Sequence, residues 1–174
     1  MFDNKMWVIA GVDSTGARND VWYSTDGIMW IQSTGNAGFS PRDRHSSLVF
    51  DNKMWVIGGL VNDWIGSCAH DVWNSTDGVT WTQVTTNAGF SPRYGHSGIV
   101  FDNRMWVIAG LDSSSTDRSD AWYSTDGITW IQATSSAGFS PRVDHSSVVF
   151  NNKMWVIGGY GDLQVLPDVW YSPR

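Results

Sequence analysis

The 174-residue chain contains no glutamate, so all 17 of its acidic residues are aspartates. It has 11 basic residues, a formal net charge of −6 and a single cysteine, Cys68, which excludes an internal disulfide. The basic residues are dispersed, which argues against a nucleic-acid phosphate surface. No apolar run approaches a membrane span and the first residues do not resemble a secretion signal. We therefore expect no nucleic-acid or membrane partner, and leave the compartment open.

The residues that usually cover helix surfaces are scarce as well, whereas strand and turn formers are abundant. The chain has 12 tryptophans and 18 glycines, together with many valines, isoleucines, threonines and aspartates. Branched and aromatic side chains favour strands, and Gly, Asp and Asn favour turns. The composition therefore predicts an all-β protein.

One ten-residue phrase occurs four times along the chain. It reads FDNKMWVIAG at Phe2, FDNKMWVIGG at Phe50, FDNRMWVIAG at Phe101 and FNNKMWVIGG at Phe150, with spacings of 48, 51 and 49 residues. A period near 50 residues is typical of propellers, in which each repeat forms a small antiparallel sheet called a blade. We therefore interpret the chain as a series of blades.

Each period divides into four strand-like runs, which in one copy are 45–50, 53–59, 71–75 and 80–85. The second run is almost continuously apolar, as in a strand covered on both faces. Thr-Asp-Gly joins the third and fourth runs and is a hairpin signal. The sequence predicts one domain, 1–174, of about three and a half four-stranded blades. Their boundaries are 2–36 (partial), 45–87, 96–136 and 145–174 (partial).

The regularly spaced tryptophans are predicted to fill the spaces between neighbouring blades, because each buries roughly 150–250 Å². In one copy they are Trp55, Trp73 and Trp81. Trp64 is the exception, because it lies in a segment that differs in every repeat. The regular tryptophans are therefore expected in the core, and Trp64 is a candidate ligand contact.

Three recurring features resemble the kelch repeat. They are the Gly-Gly after an apolar strand (58–59, 158–159), the preceding Pro-Arg (41–42, 92–93, 141–142) and the later aromatic pair (Trp73 and Trp81). Ala10 and Ala109 depart from the double glycine. The STDGITW hairpin (124–130) also resembles the Asp-box of sialidase-type propellers. The kelch resemblance implies a propeller of commonly about six blades that binds proteins or carbohydrates. A minority of such propellers are enzymes, such as galactose oxidase and sialic acid mutarotases.

Three and a half blades do not close a ring, and each open end would expose an apolar sheet face. We expect either that the chain is a piece of a longer array or that copies assemble. In a homodimer, the run at 145–150 of one chain could complete the first blade of its partner, giving six blades. Alternatively, both partial blades could stack, giving eight.

The variable segments between runs two and three are predicted to form loops on one propeller face. They span 12–19, 60–70, 111–119 and 160–167, and the connectors around residues 43–44, 94–95 and 143–144 vary as well. A repeated framework with divergent loops on one face is a common way to present a binding site. The candidate ligand contacts on this face are Arg44, Tyr94, Asp144, Trp64, His70, Arg118 and Tyr160.

Two residue types recur in register and are candidates for a framework around the channel: Arg42, Arg93 and Arg142, and His45, His96 and His145. The arginines could clamp a carboxylate or phosphate, or bind backbone carbonyls or an aspartate of a neighbouring blade. Exact repetition favours the framework role. The histidines would lie too far apart on adjacent strands to share one metal ion, so we expect them to form hydrogen bonds across blades and predict no metal site.

Enzymatic signatures are weak. A copper oxidase of galactose-oxidase type would need a Tyr–Cys pair and two histidines, and no spacing among Cys68, Tyr94, His70 and His96 supports that set. No phosphate-binding loop or nucleophile elbow occurs. The leading hypothesis is a non-catalytic module without a cofactor that binds a protein or a glycan. One alternative is a kelch-type glycan-active enzyme (an oxidase or a mutarotase). The other is an incomplete array without independent function.

Overall fold

The computed structural model describes residues 1–61 and 67–173. Trp64 lies outside these residues. The described part of the chain consists of strands and turns without a helix, as the composition predicted. Accordingly, no helix that could cross a membrane occurs in the part of the chain that the structure describes.

Within residues 1–61 and 67–173, eighteen strands form four main antiparallel sheets and one short hairpin. Sheet 1 contains β1 (Met6–Asp13), β2 (Gly16–Ser24) and β3 (Ile31–Thr34). Sheet 2 contains β4 (Arg42–Asp43), β5 (Ser46–Phe50), β6 (Lys53–Val61), β7 (Cys68–Ser75) and β8 (Thr82–Thr85). Sheet 3 contains β9 (Arg93–Tyr94), β10 (Ser97–Phe101), β11 (Arg104–Asp112), β12 (Asp117–Ser124) and β13 (Ile131–Thr134). Sheet 4 contains β14 (Ser146–Phe150), β15 (Lys153–Ile157) and β18 (Val169–Tyr171), while β16 (Tyr160–Gly161) pairs with β17 (Gln164–Val165).

The second strand of each inner sheet is apolar on both faces because a sheet covers each side. In β6, Met54 and Val56 pack with residues of sheet 1. On the opposite face, Trp55 and Ile57 join a cluster with residues of sheet 3, including Met105. Consecutive sheets therefore pack face to face, and the hydrophobic core lies in the three seams between them.

The glycine pair at the end of the second strand marks a change of pairing partner. Strand β6 pairs with β5 as far as Ile57 and with β4 from Leu60, and on its other edge the pairing with β7 shifts register between Ile57 and Gly59. A Cβ on Gly59, whose φ is 108°, would lie 2.7 Å from His45 Cβ, so only glycine fits. The first position of the pair is less demanding, because Ala109 occupies it with a φ of 55°.

The Ser-Thr-Asp-Gly turns fix the outer hairpins and also contribute to the seams. Ser75 Oγ accepts a hydrogen bond from the Gly78 amide at 2.8 Å, and the aspartate of the turn accepts two further amides. A Cβ on Gly78 would overlap the ring of Trp7 in sheet 1, and Gly127 meets Trp55 in the same way. The turn glycine therefore lets a tryptophan of the preceding sheet approach the backbone.

The structure corrects the prediction of loops between runs two and three. In sheet 1, β1 continues to Asp13 and β2 starts at Gly16, so the segment 12–19 is mostly hairpin. In sheet 3, the segment 111–119 likewise belongs largely to β11 and β12. In sheets 2 and 3, the connector strands β4 and β9 pair with the ends of β6 and β11 and prolong the ladders beyond the apolar runs from which the strands were predicted.

The burial predicted for the regular tryptophans holds in the inner seams and is wrong at the two ends. Trp55, Trp81, Trp106 and Trp130 are buried, and Trp73 is partly buried and packs against the cluster between sheets 1 and 2. In sheet 1, by contrast, Trp30 keeps 38% of its surface exposed, and in sheet 4 Trp170 keeps 40%. The end tryptophans are exposed because no further sheet or strand covers them within the described residues.

Candidate functional site

The connectors and the extended hairpins meet at one end of the sheets. Asp43 of β4 pairs with Leu60 of β6, and Tyr94 of β9 pairs with Leu111 of β11. An isolated bridge joins Val143 to Tyr160 in the same place in the last repeat. We call this end the mouth, and define it by residues 43–44, 94–95 and 143–144 with the adjoining hairpins.

Three equivalent positions at the mouth form a backbone ladder from sheet to sheet. Arg44, Gly95 and Asp144 all adopt left-handed conformations, with φ of 48°, 61° and 55°. The Gly95 amide donates to the Arg44 carbonyl at 2.9 Å, and the Asp144 amide donates to the Gly95 carbonyl at 2.8 Å. The framework is therefore constant here, while the side chain at each step differs.

Tyr94 lies at the centre of the mouth. It is 7% exposed and packs in a cluster with Leu60 and Val143, against which Cys68 is also placed. The Arg44 guanidinium carbon is 5.4 Å from the Tyr94 ring centroid, within cation–π range. Burial raises the pKa of Tyr94; the Arg44 cation opposes the rise, whereas nearby acidic groups, Asp144 among them, add to it. The structure thus brings together Arg44, Tyr94 and Asp144, three of the residues that the sequence proposed.

Carboxylates dominate the electrostatics beside this cluster. Arg118 is paired with the buried Asp112. Burial raises the pKa of Asp112, but hydrogen bonds from Arg118 and two backbone amides lower it by more, so the net shift is downward. The pKa of Asp117 is raised by burial and by the negative charge of Asp162. The mouth therefore presents several acidic oxygens, and Arg118 is partly neutralised by its own partner.

The remaining predicted contacts take different places. His70 Nδ1 lies 3.2 Å from the Phe90 carbonyl and fixes the connector, as Asn19 does in the preceding repeat by donating to the Phe39 carbonyl. Tyr160 is 43% exposed on β16, beside Val143. Among the described candidates, Tyr160 thus lies at the mouth, while the His70 ring is turned to the framework.

The three recurring arginines are buried and serve their own sheets. Arg93 donates to both carboxylate oxygens of Asp120, at 2.6 and 2.9 Å, and to the Ala109 carbonyl at 2.9 Å. Asp120 also accepts the Trp122 indole at 2.8 Å. Arg42 and Arg142 make the same set of contacts with Asp71 and Asp168. The predicted contact with backbone carbonyls is present. The prediction of an aspartate from a neighbouring blade is wrong, because each aspartate belongs to the same sheet as its arginine.

The recurring histidines link adjacent sheets along their inner strands. His96 Nε2 lies 3.0 Å from Ser46 Oγ of sheet 2, and His145 Nε2 lies 2.9 Å from Ser97 Oγ of sheet 3. Burial, then the neighbouring arginine cation, lowers the pKa of His96 to about 3 and those of His45 and His145 to about 4. All three are therefore neutral at pH 7 and act as hydrogen-bonding framework groups.

Cys68 also lies at the mouth, where it was not predicted from the sequence. It packs beside Tyr94, and burial followed by the charge of Asp112 raises the pKa of its thiol. Of the four residues considered for an oxidase, only these two come together, because His70 and His96 are bound elsewhere. In the described residues, no group of three or more His, Cys or acidic side chains is arranged to hold a metal ion. No sequence signal could have found the Cys68–Tyr94 contact, because it depends on pairing between distant segments.

The repeated antiparallel sheets, packed face to face with a tryptophan-rich seam and joined by the same connector, define a β-propeller repeat protein. The model of the DUF6242 beta propeller domain family matches residues 53–172, and the chain belongs to this family. No curated protein matches the chain.

Proposed function

We propose that the chain is a non-catalytic propeller module, built of four-stranded kelch-type blades, that binds a protein or a glycan at the mouth. The observation that carries this proposal is the backbone ladder at Arg44, Gly95 and Asp144. Equivalent backbone positions hold a cation, a glycine and an anion there, whereas the buried arginines and histidines repeat unchanged.

The chemistry of the mouth suits a polar ligand. Arg44 is about half exposed and its guanidinium lies over the Tyr94 ring. Asp144 is exposed one step along the ladder. A guanidinium donates hydrogen bonds in a fixed geometry, and a carboxylate accepts them. Sugar hydroxyls and the polar groups of a protein loop can use both. Exposed donors and acceptors held on paired backbone cost little ordering entropy on binding.

The framework supports the mouth without taking part in binding. Arg42, Arg93 and Arg142 have their guanidinium groups engaged by carboxylates and carbonyls, so they are not available to a ligand. We further propose that two copies of the chain close one ring, because both end sheets expose large apolar side chains such as Val8 and Phe150.

The test is a binding screen on glycan arrays and on protein extracts, followed by titration of any hit against matched variants. Asp144→Asn and Arg44→Gln remove mouth charges while keeping side-chain size similar. Asp102→Asn is the control, because Asp102 also has a positive φ (50°) but lies in the β10–β11 turn at the other end of the sheets. Asparagine tolerates this conformation.

We expect each mouth variant to weaken binding roughly tenfold or more, as loss of a charged hydrogen-bonding group does, and the control to bind like the unmodified chain. A ligand whose affinity is unchanged by both mouth variants would bind elsewhere and would contradict the proposal. Turnover of a bound sugar would contradict the non-catalytic assignment.

A further inference from the structure

A cavity of about 220 Å³ opens in the seam between sheets 3 and 4. Its walls are mainly apolar and include Trp106, Ala133, Ala137, Phe139 and Trp170. Trp106 and Phe139 also belong to the cluster that joins the two sheets, so the cavity continues an existing interface. We call it the slot.

The other two seams show what fills this position. Trp81 packs edge-on against Phe39, with ring centroids 5.4 Å apart and planes at 84°. Trp130 packs against Phe90 in the same manner, at 5.3 Å and 89°. Both tryptophans immediately precede the fourth strand of a sheet. Phe139 is the equivalent phenylalanine at the slot.

The exposure of the alanine in each connector shows the same difference between the filled seams and the slot. Ala37 is 3% exposed and Ala88 is 1% exposed, whereas Ala137 is exposed. Strand β18 lies beside the slot, pairs with β15 along one edge, and has no partner on the other edge among the described residues. The slot therefore lacks a fourth strand that carries a tryptophan.

Strands β3, β8 and β13 correspond to the fourth run of a repeat, and each directly follows a tryptophan. Trp81 and Trp130, which precede β8 and β13, are buried in seams, whereas Trp30, which precedes β3, is exposed. Strand β3 pairs with β2, in which residues 20–24 read DVWYS, and residues 168–172 at β18 read DVWYS as well. Strand β3 would therefore meet the same side chains on β18 that it meets on β2.

The opposite end of the molecule has the complementary gap. A cavity of about 250 Å³ lies between sheet 1 and strand β5, lined by Phe2, Trp7, Ile9 and Leu48 among others. Between consecutive sheets, β10 packs beside β5, and β14 packs beside β10. The gap therefore corresponds to the first strand that sheet 1 does not have in the described structure.

We propose that two copies of this chain exchange their ends. Sheet 4 of one copy takes the place of the β1–β2 hairpin of the other, strand β3 of the second copy pairs with β18 of the first, and Trp30 enters the slot against Phe139. The incoming β14 fills the gap beside β5. Two exchanged ends complete a ring of six four-stranded blades.

At the seam with sheet 2, the exchange replaces side chains by identical ones. Trp155 and Ile157 of β15 would take the positions in which Trp7 and Ile9 of β1 pack. The exchange also adds a contact: His96 and His145 each face a serine of the preceding sheet, and His45 would face Ser146 of the incoming β14.

The incoming sheet is also anchored in a way that the departing hairpin is not. Asp168 is held by Arg142 at 2.7 and 2.9 Å. The equivalent Asp20 accepts only the Trp22 indole, and no arginine of the described residues pairs with it. The exchange rests on the ring-closure part of the proposed function and is independent of any ligand at the mouth.

The first test is the solution mass of the full chain and three variants by light scattering. We expect twice the 19.4 kDa chain mass for the unmodified protein. Ala137→Phe fills the slot and Trp30→Ala removes its occupant, so both should weaken the dimer and lower its association constant at least 100-fold. Val8→Lys is the control: Val8 is 48% exposed on β1, which the exchange displaces, so this variant should remain a dimer.

The second test traps the exchanged pairing covalently. Tyr123 pairs with Ile131 and Tyr23 with Ile31, so the exchange pairs Tyr171 of one copy with Ile31 of the other. Tyr171→Cys combined with Ile31→Cys, in a Cys68→Ser background, should give a disulfide-linked dimer on non-reducing gels. Each single cysteine variant is the control and should stay unlinked.

The outcomes separate exchange from simpler closure. A dimer that survives Ala137→Phe but is lost in Val8→Lys would mean that the end sheets stack without exchange, and would overturn this proposal while leaving ring closure intact. A monomeric unmodified chain would overturn both. A dimer that forms no disulfide in the double cysteine variant would also overturn the exchange.

Discussion

The two inner sheets and the two end sheets are built from nearly the same sequence but differ in how completely their polar and apolar groups are satisfied. In sheet 3, Arg93 and its partner Asp120 are both buried. In sheet 4, Arg142 is just as buried, but 38% of the Asp168 side chain is exposed. The same contrast holds for the tryptophans, which are covered in the inner seams and open at the ends.

A repeat sequence therefore specifies a sheet, whereas the neighbours of that sheet determine its stability. Sheets 2 and 3 have five strands each and a sheet on each face, so the apolar side chains of their second strands pack on both sides. Sheets 1 and 4 have a partner on one face only. The end sheets therefore carry the surfaces that are free to associate.

The largest expected effect comes from breaking the buried ion pair of an inner sheet. Arg93→Met leaves the Asp120 carboxylate buried without its cation, which should reduce the free energy of unfolding by about 3–5 kcal/mol. Arg142→Met leaves a carboxylate that water can reach, so we expect a loss of about 1–2 kcal/mol. Urea denaturation measures both. Equal losses would contradict the distinction between inner and end sheets.

A smaller effect is expected where a turn glycine meets a tryptophan of the preceding sheet. Gly127 has a φ of 76°, and an added Cβ would overlap the Trp55 ring, so Gly127→Ala should cost about 3 kcal/mol. Gly138 has a similar φ of 87° and open space around it, so Gly138→Ala should cost only about 1 kcal/mol of backbone strain. Thermal unfolding compares them, and indistinguishable melting temperatures would argue against tight packing in this seam.

The neutral histidines predict how stability depends on pH. An unfolded histidine titrates near 6.5, whereas the folded pKa is about 3 for His96 and about 4 for His145. The unfolded chain therefore binds more protons below pH 6.5. The stabilisation is complete above that pH and falls as the pH is lowered towards the folded values, on the order of 2 kcal/mol per buried histidine at pH 5.

Replacing a single buried histidine measures how much of this pH dependence comes from that residue. His96→Gln and His145→Gln should each remove part of the decline between pH 6.5 and 4, because burial holds each imidazole neutral in the folded chain. Denaturation at a series of pH values measures the two slopes. A pH profile that is unchanged in His96→Gln would show that the imidazole is not held neutral by the fold.

The smallest effect on stability is expected at the mouth. Tyr94→Phe keeps the ring that packs against Leu60 and Val143 and removes only the hydroxyl, so unfolding should change by less than about 0.5 kcal/mol. Ligand affinity is expected to fall if that hydroxyl binds the ligand. A large loss of stability would place the hydroxyl in the framework instead.

The sequence predicted the strands and hairpins well because their signals are local. The Thr-Asp-Gly turns and the apolar second run each read correctly from a few adjacent residues, and β6 begins at Lys53 as expected. The extensions of β6 and β11 were missed because they pair with the connector strands β4 and β9, which are not adjacent to them in the sequence.

The site was predictable only in part for the same reason. Arg44, Tyr94 and Asp144 were identified because they vary at equivalent positions within constant connectors. The contact between Cys68 and Tyr94 depends on the register of non-local strands, as does the bond between His70 and the Phe90 carbonyl. Repetition reveals which positions are equivalent, but not which side chains meet across sheets.

Hydrogen exchange measured peptide by peptide on the full chain shows whether neighbouring sheets determine the local stability of each strand. Amides of β6 and β11 lie between sheets on both sides and should exchange slowest. Amides of β1, which belongs to an end sheet and is displaced in the exchanged dimer, should exchange fastest among the second strands. Protection of β1 equal to that of β6 would contradict the account, because identical sequence alone would then determine stability, independent of neighbouring sheets.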